Sequence, residues 1–257
     1  MVTLAAQHRP VWLCALLGLA ACAMLRPAGP KPLATSLQEL APHVAGDHFV
    51  YLWQRPDGRG GLDAGIQVER VTAAGAAGEF EVTASEDGVT VARSRLRDDG
   101  NALLLLSEDF GPGERVRYDP PLPQLEMPLV PGERRVSATA EVTRLSDQQR
   151  TGSLAVTQVV RVSEATAVDC VLGTFGNAVA VHSVRSVHTP EGIVELSSAV
   201  VLVPGIGEVV ADGQVSGSAP LHRELACARI SGRPIGNCHN LIAQVEALRR
   251  PGPSVPP

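Results

Sequence analysis

Apolar and polar residues alternate with a period of two through most of the chain. Ile66 with Val68, Phe80 with Val82, Val89 with Val91, and the run Val136, Ala138, Ala140, Val142 each mark a strand with one buried face. Gly, Asp or Asn residues border these runs. Asp87-Gly88 reads as a tight hairpin, and Asp98-Asp99-Gly100-Asn101 as another, between strands over 91–97 and 103–106. Further strands are expected over 153–163, 168–170, 178–188, 193–203 and 208–211, with Thr189-Pro190-Glu191-Gly192 turning the chain between the longest pair. Hairpins in series, with no amphipathic helix between them, predict an antiparallel sheet that curls or closes to protect its edges. The expected fold is mainly β: a strongly curved antiparallel sheet or incomplete barrel over residues 46–230, with a short C-terminal helix.

Both ends break the alternation. Arg9 precedes an apolar run over 11–21 that is too short to span a bilayer and reads as a secretion signal, residues 1–21. The run closes on Leu19-Ala20-Ala21-Cys22, which resembles the lipobox of bacterial lipoproteins at all four positions. That resemblance implies cleavage before Cys22 and diacylglycerol on its sulfur, with palmitate among the acyl chains. At about 0.8 kcal/mol per buried methylene, two or three chains give a stable membrane anchor. Ala23 follows the cysteine where Asp would favour inner-membrane retention, so the expected location is the outer membrane, facing the periplasm. Residues 22–45 are rich in Pro, Ala and Gly and read as a flexible tether, within which Ser36 to Leu40 suits a helical turn. At the other end, Leu241, Ile242, Val245 and Leu248 share one helical face after a plausible N-cap at Asn237, and Pro251-Gly252 stops the helix. Residues 221–230 suit either a last strand or a helical segment. Residues 231–257 are expected to form a disulfide-linked helix and a Pro-rich tail.

Composition narrows the chemistry. The chain is 44% apolar but only 3% aromatic, so the core must be built from Val, Leu and Ala, and no stacking platform for bases or sugars is visible. A formal charge of −5, or −6 once Arg9 leaves with the signal, does not suggest nucleic acid. There is no G-x-S-x-G, H-E-x-x-H or C-x-x-C motif, and the carboxylates are scattered through turns, so neither catalysis nor a cofactor is expected. Pro204-Gly205-Ile206-Gly207 lacks the third glycine and following helix of a dinucleotide site. His43 with His48, His182 with His188, and Cys227 with Cys238-His239 are the candidate metal ligands, but nothing fixes their geometry and no metal is expected. Once Cys14 is removed and Cys22 acylated, Cys170, Cys227 and Cys238 remain in an oxidising compartment. Ser231-Gly232, Pro234 and Gly236 let the chain double back, so a Cys227–Cys238 disulfide is expected, with two free thiols as the alternative.

Several short motifs then suggest a family. Gly46-Asp47-His48-Phe49-Val50-Tyr51, Tyr118-Asp119-Pro120-Pro121-Leu122 with Leu129-Val130-Pro131-Gly132, Gly173-Thr174-Phe175, and Pro204-Gly205-Ile206-Gly207-Glu208-Val209-Val210 resemble, in order and spacing, the TapB-like β-domains, a bacterial envelope family of unknown function. Phe49, Arg135 and Val203 stand where that family often has aromatic residues. The resemblance implies fold and compartment and brings no catalytic residues. Two functional classes follow for a non-catalytic envelope lipoprotein. One binds lipid or another hydrophobic ligand within the curved sheet, and predicts inward Val and Leu around an empty volume. The other is a structural or assembly lipoprotein that binds another envelope protein, and predicts a filled interior with an exposed apolar patch.

Overall fold

The computed structural model describes residues 30–110, 113–165 and 167–239, together with Leu241 and Val245. The described residues from Pro32 onward belong to one compact unit. The signal segment and Cys22 lie outside the described residues. Among the described residues the short helix α1 (Leu37–Leu40) precedes fifteen strands: β1 (His48–Pro56), β2 (Leu62–Ala73), β3 (Glu79–Glu86), β4 (Val89–Asp98), β5 (Ala102–Phe110), β6 (Glu114–Glu126), β7 (Gly132–Arg144), β8 (Arg150–Ala165), β9 (Val168–Cys170), β10 (Gly173–Phe175), β11 (Ala178–Thr189), β12 (Gly192–Val203), β13 (Gly207–Val215), β14 (Leu221–Ile230) and β15 (Arg233–Gly236).

The strands form a meander that closes on itself. The order β1-β2-β3-β4-β5-β6-β7-β8-β11-β12-β13-β14 is completed by pairing of β1 with β14, and β15 adds to the free end of β14 outside this ring of twelve. Closure runs from His48 opposite Arg229 to Gln54 opposite His222. The expected incomplete barrel is therefore a closed one. Pairing the first long strand with the last satisfies the two edges that an open sheet would leave exposed. The predicted hairpins stand where expected: Asp87 and Gly88, both at positive φ, turn β3 into β4, and Gly205 and Gly207 turn β12 into β13. The Pro-rich stretch after Tyr118 runs within β6, where Leu122 and Leu125 face Leu105 and Leu103 of β5.

A barrel this wide cannot be filled by Val and Leu alone, since about eight strands already leave an interior just wide enough for side chains. Part of the remedy is a plug. Leu37 and Leu40 of α1 are 4% and 0% exposed and pack with Phe49, Phe80 and Leu129 across one end of the barrel. The segment is held by main-chain bonds: Leu33 N donates to Leu129 O (2.7 Å), Leu129 N to Ala34 O (2.9 Å) and Gly205 N to Glu39 O (2.6 Å). Ser36 Oγ caps α1 by accepting from Glu39 N at 3.2 Å. The expected flexible tether over 22–45 thus gives way, from Leu33 onward, to packed structure. The β9–β10 hairpin joins the same core through Val168, Leu172 and Phe175. Asp47, 3% exposed, accepts from Val44 N and Ser231 N and ties the start of β1 to the β14–β15 turn.

The outer face is charged. Arg93 and Glu81, Arg95 and Glu79, Arg115 and Asp109, and Arg161 and Glu133 pair along β3 to β8, the last two 68% and 50% exposed. Val89 and Val91, expected on a buried face, are 66% and 39% exposed, because the bulge at Ala84/Ser85 shifts the register of that hairpin. Strands so charged on the outside do not present the apolar band of a lipid-facing barrel. Among the described residues no helix is long and apolar enough to cross a membrane. Cys227 and Cys238 are joined by a disulfide with a Cα–Cα distance of 5.5 Å, and Cys170 is free. The expected C-terminal helix is not seen as an element, because most of its residues lie outside those described. Leu241 and Val245 pack on an outer patch formed by Leu52, Ala64, Ile66 and Ala226.

Beside this patch His222 bridges two carboxylates, with Nδ1 2.8 Å from Asp212 Oδ1 and Nε2 3.0 Å from Glu224 Oε1. Glu224 also accepts from Val171 N in the β9–β10 turn. Partial burial opposes the imidazolium, but the bonds to Glu224 and Asp212 outweigh it and raise the His222 pKa above its usual value. A raised folded-state pKa gives stability that is fully present below the unfolded value of about 6.5 and is lost as pH rises through the folded value. His222→Ala is therefore expected to lower the urea midpoint more at pH 5.5 than at pH 8.5. Equal losses at both pH values would contradict the bridge.

Candidate ligand cavity in the barrel lumen

Alternation decides which side chains enter the lumen. Val181, Ser183 and Arg185 on β11 stand opposite Val162, Val160 and Gln158 on β8 and opposite Val200, Ser198 and Leu196 on β12. On β2, Gln67 and Glu69 share phase with the buried Val71, and on β14 Arg223 shares it with the buried Leu225. Polar residues thus occupy inward positions of strands that are otherwise apolar on that side.

Above the plug these side chains enclose a cavity of about 220 Å³. Its apolar wall is formed by Phe49, Leu96, Leu103, Leu125, Val200 and Leu202, and Glu69, Glu208, Tyr51, Gln124, Gln158 and the Ser183–Ser198 pair supply the polar wall. The two serine hydroxyls are hydrogen bonded at 2.9 Å. Gln124, Ser183 and Ser198 also line a second volume of about 360 Å³, bounded by Arg185, Leu196 and Leu221.

Two buried ionic groups fill the rest of the lumen. Arg185 donates to Glu108, to Tyr118 Oη (3.0 Å) and, through Nε, to Gln158 Oε1 (3.1 Å), while Tyr118 also donates to Glu108. Gln158, 1% exposed, completes its bonding by donating to Pro123 O at 3.2 Å. Burial and the neighbouring Glu108 push the Tyr118 phenol far up, so it stays a donor. In the second group Arg223 donates through Nη1 to Gln67 Oε1 (2.6 Å) and Glu69 Oε1 (2.5 Å), and Nη2 lies 2.5 Å from Glu208 Oε1. Its guanidinium carbon sits 4.6 Å from the centre of the Tyr51 ring. Burial opposes the Arg223 charge, but Glu208 and Glu69 outweigh it and hold the group protonated. Burial raises the Glu208 carboxyl despite Arg223, and it also lowers the His43 pKa, leaving that imidazole neutral at neutral pH.

The sequence candidates fall elsewhere. His43 stacks on Phe80 with ring centroids 5.2 Å apart, and its Nδ1 lies 2.9 Å from Ala41 O. His182 and His188 are exposed on the outside of β11, about 20 Å apart at the rise of a strand, too far to share an ion. Cys227 and Cys238 are consumed in the disulfide. Glu69, Glu108, Gln158, Arg185 and Arg223 were not singled out by motif, and Glu208 stands in the Pro204 to Val210 motif without being read as a luminal residue. Their signal was positional: for Glu69, Gln158, Arg185 and Arg223, a long polar side chain in phase with buried apolar neighbours on the same strand.

No family model and no curated protein matches the chain, so the TapB-like likeness rests on its motifs alone. Among solved structures, an exported-protein candidate with a YmcC-like fold from Bacteroides fragilis is 16% identical at a TM-score of 0.39, over 72% of this chain and 96% of that one. A candidate lipoprotein from Parabacteroides distasonis is 9% identical at a TM-score of 0.35, over 77% of this chain and 98% of that one. Overlaps this low carry neither ligand nor compartment to this chain.

Proposed function

We propose that this chain is a non-catalytic envelope lipoprotein, anchored through Cys22 to the outer membrane on its periplasmic side, whose barrel binds a small hydrophobic ligand. The cavity carries this reading: inward Leu, Val and Phe side chains surround an empty volume that shares Gln124, Ser183 and Ser198 with a wider space lined by Ser197, Gly213 and Leu221. Its volume of about 220 Å³ lies below the range of roughly 300–1,000 Å³ usual for drug-sized ligands, which favours one short apolar chain or ring over a diacyl lipid. The alternative of an assembly lipoprotein expects a contiguous exposed apolar patch. The large apolar residues left exposed, such as Val89, Val171 and Ile193, sit on separate elements.

Hexan-1-ol tests the reading. Saturation-transfer NMR should show saturable binding to the wild-type protein, and Val200→Trp, which places an indole in the cavity, should abolish it while the circular dichroism spectrum stays strand-rich. Undiminished binding in the variant would place the ligand outside the lumen.

A further inference from the structure

The charges at the cavity wall do not balance. Glu69 and Glu208 both line the cavity, and a single guanidinium, Arg223, lies between them. Arg223 gives Nη1 to Glu69 and Gln67, and its Nη2 lies 2.5 Å from Glu208 Oε1, so one guanidinium serves both carboxyl groups. The other luminal pair, Arg185 with Glu108, is balanced. His43 adds no cation at neutral pH, so the cavity wall holds one carboxyl group more than it has cations to pair. A buried charge short of partners is costly, and its desolvation is offset when an oppositely charged donor arrives with the correct geometry. Burial already pushes the Glu208 carboxyl up, as expected of such a group.

We propose that the luminal ligand carries a cationic, hydrogen-bond-donating head, a primary or secondary ammonium, on a short apolar body. This rests on the reading of the lumen as a ligand cavity. The ammonium seats against Glu208 and Glu69, with Ser183, Ser198 and Gln158 as further acceptors on the same wall. An ammonium suits this task because it offers several donors and no acceptor. The apolar body lies along Leu96, Leu103, Val200 and Leu202. A carboxylate ligand would add a second carboxyl group without a cation, and an uncharged ligand would leave the first as it is.

A charge series at constant body size decides the matter. Hexylammonium, hexan-1-ol and hexanoate are titrated calorimetrically into the full-length protein in lipid nanodiscs, with empty nanodiscs subtracted. Hexylammonium should bind at least tenfold more tightly than hexan-1-ol, and hexanoate more weakly than either. Glu208→Gln should bring the affinity ratio of hexylammonium to hexan-1-ol, both measured in that variant, close to one. The wild-type series stands by itself if that variant does not fold. Equal affinities for hexylammonium and hexan-1-ol would overturn the cationic head and leave the ligand cavity intact. Binding of none of the three would overturn the cavity reading, and this inference with it.

Discussion

Replacing Arg223 with Met should destabilise the protein by about 3–5 kcal/mol, the usual cost of leaving a buried charge without its partner. Arg223, Glu69 and Glu208 expose only 20%, 15% and 19% of their side chains, so water cannot take over the lost contacts. The single variant leaves two carboxylates facing each other across the lumen, with Gln67 as the remaining polar neighbour. Adding Glu69→Gln and Glu208→Gln to Arg223→Met should recover most of the loss, because both charges then disappear together with their partner. Urea unfolding measures this directly, with an unchanged m-value showing that the same surface is exposed in each variant. A loss below about 1 kcal/mol for Arg223→Met, the range of a surface ion pair, would mean that the group is solvated and that the lumen is wetter than its packing indicates.

Cys22→Ala should abolish palmitate labelling completely and release the protein from the membrane fraction. The expectation rests on Leu19-Ala20-Ala21-Cys22, which resembles the lipobox of bacterial lipoproteins. One acyl chain gives marginal binding and two or more give stable binding, so loss of the modified cysteine removes the anchor as a whole. Retained labelling in the variant would sink the lipoprotein assignment.

Much of the fold was legible because alternation and turn chemistry are local. Asp87-Gly88, Asp98 to Asn101 and Thr189 to Gly192 all sit at turns between adjacent strands, and the long β11–β12 pair begins and ends within a few residues of its predicted limits. Closure was not legible, because the partner of His48 is Arg229 at the far end of the chain, and period-two patterning specifies a face without specifying how many strands share it. The plug was hidden by composition. Pro, Ala and Gly around it read as a tether, although Leu33, Leu37 and Leu40 recur at helical spacing and all three pack on the core. β15 is only four residues long and contains Pro234, so its pairing with β14 leaves almost no sequence signal.

The luminal site was missed for a related reason. Glu69 was counted among the scattered carboxylates and Arg185 and Arg223 were not singled out, yet each follows the phase of buried residues on its own strand. A narrow barrel would have excluded such side chains. A ring of twelve strands has room for them, and with so few aromatic residues in the chain they occupy space that Phe or Trp would otherwise fill.

The central claim is that the lumen is a ligand site and not simply a loosely filled core. The most direct measurement is mass spectrometry of small molecules released by denaturation from the natively purified protein, run in parallel on Val200→Trp. The account predicts a small compound with an apolar body near one equivalent per chain in the wild type and its absence from the variant. The same compound at the same level in both, or none in either, would contradict it.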